Sequence, residues 1–142
     1  MGVKIKKLPS VKKLKDKAWP LFSKYIRLRD CLETTGDTTI GVCFTCGRTY
    51  EFKKLQAGHF IPGRHGMNLF DPRGCHAQCY SCNVMLKGNP IKYWTHMEQK
   101  YGRELIDELI AQDQEVKIFT IEELENLIIK LKVDIDKLAQ LD

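Results

Sequence analysis

The sequence predicts an α+β fold in which a small cysteine-stapled core of short strands is flanked by N- and C-terminal helices. Three observations lead to this prediction: two C-x-x-C motifs in the middle of the chain, strand-like segments around them, and helical patterns at both ends. The 142 residues divide into three predicted segments. These are a basic arm and helix over residues 1–30, the core over residues 31–100 and a helical region over residues 101–142.

The N-terminal segment begins with a predicted basic arm over residues 1–10. Ser10 is a suitable N-cap for a short helix, and Pro20 fits the first position of a second helix. Further along, residues 40–44 are predicted to form a strand that leads into the first C-x-x-C motif. A hairpin strand between residues 50 and 60 follows. The second C-x-x-C motif is predicted to begin a short helix.

Three helices are predicted after the core. Residues 90–99 and 103–112 have helical periodicity, and the sequence from Thr120 to Glu123 is a capping box that begins the last helix. Its apolar residues alternate spacings of three and four. Such a stripe packs either on the domain's own core or on a second copy of the chain. The residues of this stripe are Ile121, Leu124, Ile128, Leu131, Ile135 and Leu138.

Positive charge is concentrated at the N-terminal end. Residues 1–29 contain ten lysines or arginines and one acid, whereas residues 98–142 contain twelve acids and six bases. A basic end of this density either contacts phosphates, with release of counterions, or is a solvated tail.

The two C-x-x-C motifs predict a structural zinc site. Four thiolates complete the tetrahedron that zinc prefers, so this ion would have no open position for catalysis. Two further cysteines, Cys31 and Cys75, are interpreted as buried thiols. The four predicted zinc ligands are Cys43, Cys46, Cys79 and Cys82.

A second, catalytic metal site is predicted beside the zinc. His59 is the candidate general base, because a neutral imidazole with an ordinary pKa of about 6.5 can accept a proton from water that attacks a phosphodiester. Cleavage of this kind also needs a cation, and Mg²⁺ or Mn²⁺ prefers oxygen ligands. The candidate oxygen ligands are Asn83, Asp71 and Gln56.

The other three histidines have alternative interpretations. His76 either ligates the catalytic ion or holds the neighbouring strand by a hydrogen bond. His65 either contacts phosphate or is an exposed surface residue, and His96 is expected to be structural.

No apolar run approaches the roughly eighteen residues that a membrane span needs, and the basic start is not followed by the apolar segment of a secretory signal. We therefore expect a cytoplasmic protein without a membrane partner. In a reducing compartment, paired C-x-x-C motifs favour metal binding over disulfides.

Several motifs, in order, resemble the NinG (Rap) family of phage recombination proteins. They are residues 13–19 (KLKDKAW), 22–30 (FSKYIRLRD), 43–48 (CFTCGR), 57–60 (AGHF), 76–79 (HAQC), 82–83 (CN) and 88–89 (GN). The resemblance implies an HNH-like endonuclease with a zinc-bound treble-clef (ββα-metal) core. Such proteins are associated with cutting branched DNA, including Holliday junctions and D-loops. If a phage encodes this protein, the expected location is the host cytoplasm.

By this resemblance, His59 matches the general base and Asn83 matches a metal ligand. Gly74 stands where the family usually has an asparagine that fixes the geometry of the base, so either Asn68 or another group replaces it or activity is weakened. Gly58 stands where many HNH enzymes have a metal-binding Asp or His.

A further metal ligand would then have to come from elsewhere, with Asp71 and His76 as the candidates. Together these expectations describe a metal-dependent DNA endonuclease of phage recombination that acts on branched or duplex DNA. A RecA-type recombinase and a second copy of the chain are the expected protein partners. The alternatives are a zinc-stapled DNA-binding module without catalysis and an RNA-binding zinc protein. The predicted DNA contacts are Lys12, Lys13, Lys15, Lys17, Lys24, Arg27, Arg29 and Arg64.

Overall fold

The computed structural model describes residues 8–63 and 65–141. The first seven residues of the predicted basic arm, and Arg64 among the predicted DNA contacts, lie outside the described residues. The described part is a mixed α+β fold, as predicted. Its helices and strands are α1 (Val11–Thr35), β1 (Ile40–Val42), β2 (Thr49–Glu51), β3 (Leu55–His59), β4 (Cys75–Cys79), α2 (Pro90–Tyr101), α3 (Arg103–Gln114) and α4 (Ile121–Ala139).

Helix α1 is continuous through Pro20, so the prediction that a second helix begins there is wrong. Ser10 caps the helix, and its hydroxyl accepts a hydrogen bond of 3.1 Å from the Lys13 amide. A proline inside a helix costs about 3 kcal/mol. Buried side chains on both sides of it, including Ala18 and Phe22, extend one packed face along the helix and offset this cost.

The strands form two antiparallel pairs, β1 with β2 and β3 with β4. The first C-x-x-C motif begins directly after β1, and the second begins with the last residue of β4. Opposed residues of an antiparallel pair point to the same face, and successive residues alternate between faces. In the second pair, Gln56 is opposite Gln78, Gly58 is opposite His76, and His59 is opposite Cys75.

Helices α2 and α3 confirm the predictions for residues 90–99 and 103–112. The helix predicted after the second C-x-x-C motif is a single π-helical turn, Ser81–Met85. Within the described residues, no helix has both the length and the apolar character needed to cross a membrane.

Helix α4 packs lengthwise on α1. Thr120 caps it as predicted, with its hydroxyl accepting a hydrogen bond of 3.1 Å from the Glu123 amide. The predicted apolar stripe faces the domain's own core. Leu124 and Ile128 pack with Leu14 of α1, and Leu131 packs in the cluster that connects α1 to the sheet. The core interpretation therefore applies, and a dimer would have to use another surface.

Replacing Leu131 with alanine should lower the free energy of unfolding by about 2–5 kcal/mol, because the side chain is buried where α1, α4 and the β3–β4 pair meet. Ile129→Ala is the matched control, since Ile129 is 62% exposed on the same helix. Urea unfolding followed by circular dichroism measures both variants. Equal losses of stability would contradict this packing.

Candidate metal centre and candidate active site

The four cysteines of the two C-x-x-C motifs lie close together in the structure. Their sulfur atoms all lie within 4.8 Å of one another, and the Sγ atoms of Cys46 and Cys79 are 3.9 Å apart. A tetrahedral zinc site with Zn–S bonds of about 2.3 Å has sulfur–sulfur edges of roughly 3.8 Å. The cluster could therefore hold a metal ion such as zinc.

The backbone donates hydrogen bonds to these sulfur atoms. The Cys79 amide donates to Sγ of Cys43 at 3.3 Å, and the Cys82 amide donates to Sγ of Cys79 at 3.4 Å. Burial acts to raise the pKa of the Cys43 thiol, but hydrogen bonds from the Cys46 amide and the Thr45 hydroxyl outweigh it and lower the pKa to about 6. A thiol that loses its proton this readily is suited to metal binding.

The two remaining cysteines are buried outside the cluster, as predicted. Cys75 packs with Phe22 and Ile26 of α1, and Cys31 packs with Leu55 of β3. Burial raises the pKa of the Cys31 thiol to about 11. Both thiols have the environment of packing residues.

A cleft of about 690 Å³ lies between α1, β3 and the segment after the second C-x-x-C motif. His59 and Asn83, the predicted base and the predicted metal ligand, both line it. Helix α1 forms one wall of the cleft with Trp19, Ser23 and Arg27. These residues follow one another at intervals of about one helical turn. The structure thus brings the two central residues of the prediction into one cleft, although their catalytic roles stay predictions.

The His59 ring is held from two sides. Its Nε2 lies 3.0 Å from the backbone oxygen of Leu69. Because a carbonyl oxygen only accepts, Nε2 carries the hydrogen, and in the neutral ring the lone pair is on Nδ1. The ring also stacks on Trp19 with 5.3 Å between ring centroids. Sequence reasoning missed both contacts, because one uses a backbone oxygen and the other joins α1 to β3.

Asn83 lies in the π-helical turn that follows the second C-x-x-C motif. Its Nδ2 donates to Oε1 of Gln56 at 2.8 Å. Its Oδ1 faces Gly58, since a Cβ built there would lie 2.8 Å from this oxygen. The Asn83 oxygen, a ligand type that hard cations prefer, is therefore directed towards the strand that carries His59. Gln56, a predicted ligand, uses its own oxygen to orient Asn83.

His76 lies apart from the cleft, which corrects its prediction as a catalytic residue and metal ligand. The ring is fully buried, with Nδ1 3.3 Å from the Tyr93 hydroxyl and Nε2 2.7 Å from the Tyr101 hydroxyl. Burial, together with the positive charges of Arg29 and Lys100, lowers its pKa to about 2. His76 is therefore a neutral residue that ties β4 to α2 by hydrogen bonds.

Asp71 does not line the cleft either, which corrects its prediction as a catalytic residue and ligand. Its carboxylate accepts hydrogen bonds from the backbone and guanidinium of Arg73, at 2.7–3.0 Å, and from Gln112 at 3.0 Å. Burial acts to raise its pKa, but these hydrogen bonds and the Arg73 charge lower it. The carboxylate serves to attach this loop to α3.

The asparagine that Gly74 replaces is not supplied by Asn68. The Asn68 side chain is buried and donates to the backbone oxygen of Leu109 in α3 at 3.0 Å. A backbone carbonyl, that of Leu69, instead orients His59. No side-chain motif could have revealed this substitute.

The predicted DNA contacts on α1 differ in their surroundings. Arg27 lines the cleft. Arg29 does not contact it, because its three nitrogen atoms donate to the Asp30 carboxylate and to the backbone oxygens of Pro72 and Cys75. Its predicted role in DNA binding is corrected to a structural one. The others are Lys12, Lys13, Lys17 and Lys24, which are exposed, and Lys15, which is half-buried.

The two remaining histidines also lie outside the cleft. His65 is exposed, with Nε2 3.9 Å from the Asp113 carboxylate. His96 is half-buried and bonded through Nδ1 to the backbone oxygen of Phe44, which is the structural role predicted for it.

The comparisons with known proteins agree with the sequence resemblance. A family model described as Bacteriophage Lambda NinG protein matches residues 2–141. Relatives named Protein ninG, from Escherichia phage 933W and Enterobacteria phage VT2-Sa, are each 32% identical over 82 residues. The matched region is 57% of this chain but only 40% of each relative. No solved structure matches the chain. With a family match over nearly its whole length, the chain belongs to the NinG family.

Proposed function

We propose that this protein is a metal-dependent DNA endonuclease of phage recombination, with an HNH-like core, that cuts branched DNA such as Holliday junctions and D-loops. Two findings support the proposal. The chain belongs to the NinG phage family, and its cysteine cluster stands beside a cleft lined by an imidazole, an amide and basic side chains.

One observation carries the proposal: His59 and Asn83 line one cleft, and the Leu69 carbonyl sets the tautomer of the imidazole. A general base needs a basic nitrogen held in a defined direction. The hydrogen on Nε2 leaves Nδ1 as the nitrogen that accepts the proton. The Asn83 oxygen supplies a neutral ligand for a hard cation such as Mg²⁺ or Mn²⁺.

The reaction is hydrolysis of a phosphodiester. Water attacks the phosphorus as His59 Nδ1 takes its proton, and the bond from phosphorus to O3′ breaks. The leaving O3′ takes a proton from a solvent water, so the products are a 5′-phosphate and a 3′-hydroxyl. A divalent ion in the cleft would neutralise charge on the phosphate and the leaving oxygen. Asn83, held by Gln56, is the residue that orients a ligand towards that ion.

DNA would lie along α1. Trp19, Ser23 and Arg27 occupy one stripe of the helix, and Lys12 continues that stripe two turns earlier. Lysine and arginine contacts of this kind read phosphate positions and not base sequence. Such recognition suits a substrate that is selected by its branched shape.

A nicking assay on a four-way junction tests the proposal. Zinc-loaded protein with Mg²⁺ or Mn²⁺ should cut strands of the junction, more than a linear duplex of the same length, and should cut nothing when the divalent ion is omitted. DNA ligase should reseal the nicks, since it requires a 5′-phosphate and a 3′-hydroxyl. Junction binding without cutting under every ion condition would refute the enzyme and leave a zinc-stapled DNA-binding module.

A further inference from the structure

Gln78, in the middle of β4, has a buried oxygen that no group in the protein satisfies. Its side chain is completely buried, and its Oε1 is the single buried side-chain polar atom within residues 8–63 and 65–141 that lacks a hydrogen-bond partner. Leaving a buried acceptor unpaired costs about 1–3 kcal/mol. A bound water or a bound ion would supply the missing partner.

The orientation of this amide follows from its other contacts. Gln78 Nε2 donates to the backbone oxygen of Gly88 at 3.0 Å and to Oγ1 of Thr45 at 3.1 Å. The Gly88 carbonyl can only accept, so the nitrogen must face it. The oxygen is therefore held on the opposite side of the amide, and a flipped amide would place two acceptors against each other.

This oxygen occupies the place where a side chain at position 58 would begin. A Cβ built on Gly58 would lie 1.8 Å from Gln78 Oε1 and 2.8 Å from Asn83 Oδ1. The two oxygens therefore converge beside Gly58, one residue before His59. A side chain at this position would collide with the Gln78 amide unless the amide moved.

We propose that Gln78 Oε1 and Asn83 Oδ1 are the two protein ligands of a hard divalent cation, Mg²⁺ or Mn²⁺. Gln78 reaches across from β4 and supplies the ligand that Gly58 cannot. Gln78 Oε1 is shielded from solvent, and a cation lies about 2.1 Å from its oxygen ligands, closer than a hydrogen-bonded water. Asn83 is half-buried at the cleft, which leaves the ion an open side for water or phosphate.

The chemistry of this ligand pair also defines how the ion is held. Both ligands are neutral amides, so the protein leaves the positive charge of the ion uncompensated. Mg²⁺ commonly combines one or two protein carboxylates with waters and substrate phosphates, and here two amide oxygens would take the place of the carboxylates. A nucleic-acid phosphate would complete this site, and the ion would bind more tightly when the phosphate is present.

The cysteine cluster helps to position Gln78. Thr45, which accepts from the Gln78 amide, lies with its hydroxyl 3.5 Å from Sγ of Cys43. A thiolate accepts hydrogen bonds, so the Thr45 hydroxyl donates to the sulfur and keeps its lone pair for Gln78. Hydrogen bonds through Thr45 thus connect Cys43, a predicted zinc ligand, to Gln78, the proposed ligand of the second ion.

Mn²⁺ binding to the zinc-loaded protein, followed by the electron paramagnetic resonance of free Mn²⁺, tests this site without DNA. The wild type should bind Mn²⁺ saturably. Gln78→Met, which removes the oxygen, and Gly58→Ala, whose methyl displaces it, should each weaken binding by about tenfold or more. Gln114→Met is the matched control, since Gln114 is exposed at the end of α3. Zinc content and thermal unfolding verify that each variant is folded.

Wild-type affinity in folded Gln78→Met or Gly58→Ala, or no saturable binding by the wild type, overturns the inference. Nuclear magnetic resonance of the wild type decides it if both variants misfold. Mg²⁺ should then shift the side-chain amide signals of Gln78 and Asn83 but not of Gln114, and unshifted signals overturn the inference.

The role of the ion in cutting rests on the proposed function, but the binding site does not. Mn²⁺ binding that depends on Gln78, in a protein that cuts no DNA, would refute the nuclease and leave the ligands in place. If the wild type cuts the junction and Gln78→Met binds Mn²⁺ as tightly as the wild type, the nuclease proposal stands and the assignment of Gln78 as a ligand is refuted.

Discussion

Replacing His59 with alanine is expected to lower the rate of junction cutting by about 10²- to 10⁴-fold, the usual contribution of a general base. The variant removes Nδ1 while the Leu69 carbonyl, Trp19 and Asn83 remain around the vacated position. Single-turnover cutting of a labelled four-way junction, with protein in excess, measures the chemical step directly. Affinity for the junction should change little, because the basic residues of α1 remain.

His65→Ala is the matched control for this variant. His65 belongs to the loop that follows β3, but its side chain is 66% exposed and pairs with Asp113. Its replacement should leave cutting within about threefold of the wild type, less than 1 kcal/mol in the barrier. Equal cutting by His59→Ala and the wild type would refute the base assignment, and equal loss in both variants would point to a role for the whole loop.

Replacing Cys82 with serine should prevent the core from folding. Structural zinc contributes on the order of 10 kcal/mol to the folding of small domains, which is comparable to the whole stability of a domain. Cys82 connects the turn that carries Asn83 to the other three sulfurs, so its loss also detaches one side of the cleft. Elemental analysis should find less than one zinc per chain, and thermal unfolding should lose its cooperative transition.

Cys31→Ala is the control for the cysteine variant. Cys31 is equally buried but lies outside the four-sulfur cluster, so zinc content should stay at one per chain with a stability loss of about 1 kcal/mol. A Cys82→Ser protein without zinc that unfolds as cooperatively as the wild type would contradict the structural role of the metal.

Much of the architecture was predictable because it depends on local sequence. Helices α2 and α3 are delimited by Pro90 and Gly102, and Thr120 caps α4 through bonds within one turn. Local signals failed at Pro20, where packing of the α1 face against α4 outweighs the cost of a helical proline. The short helix predicted at the second C-x-x-C motif is present, although its hydrogen bonds are of the π type.

The candidate site also contains residues that could be predicted from the sequence and residues that could not. His59 and Asn83 were identified by motif, whereas His76 and Asp71 carry equally suitable side chains but lie in other networks. Sequence spacing cannot tell these pairs apart, because each long-range contact depends on strand register and helix packing. The group that orients His59 is the backbone carbonyl of Leu69, and a backbone carbonyl cannot be identified from the residue type in the sequence.

By itself, the sequence identified the four cysteines of the candidate metal cluster, the capped helices and membership of the NinG family, since each is encoded in residue type and short spacing. Only the tertiary structure decided which polar groups meet in the cleft. It buried His76, occupied Arg29 with backbone carbonyls and placed the Gln78 oxygen beside Gly58. For His76 and Gln78 the outcome depends on the face of the β3–β4 pair that each residue occupies, which is set by packing against α1 and α2. For Arg29 it depends on how α1 packs against β4 and the segment before it.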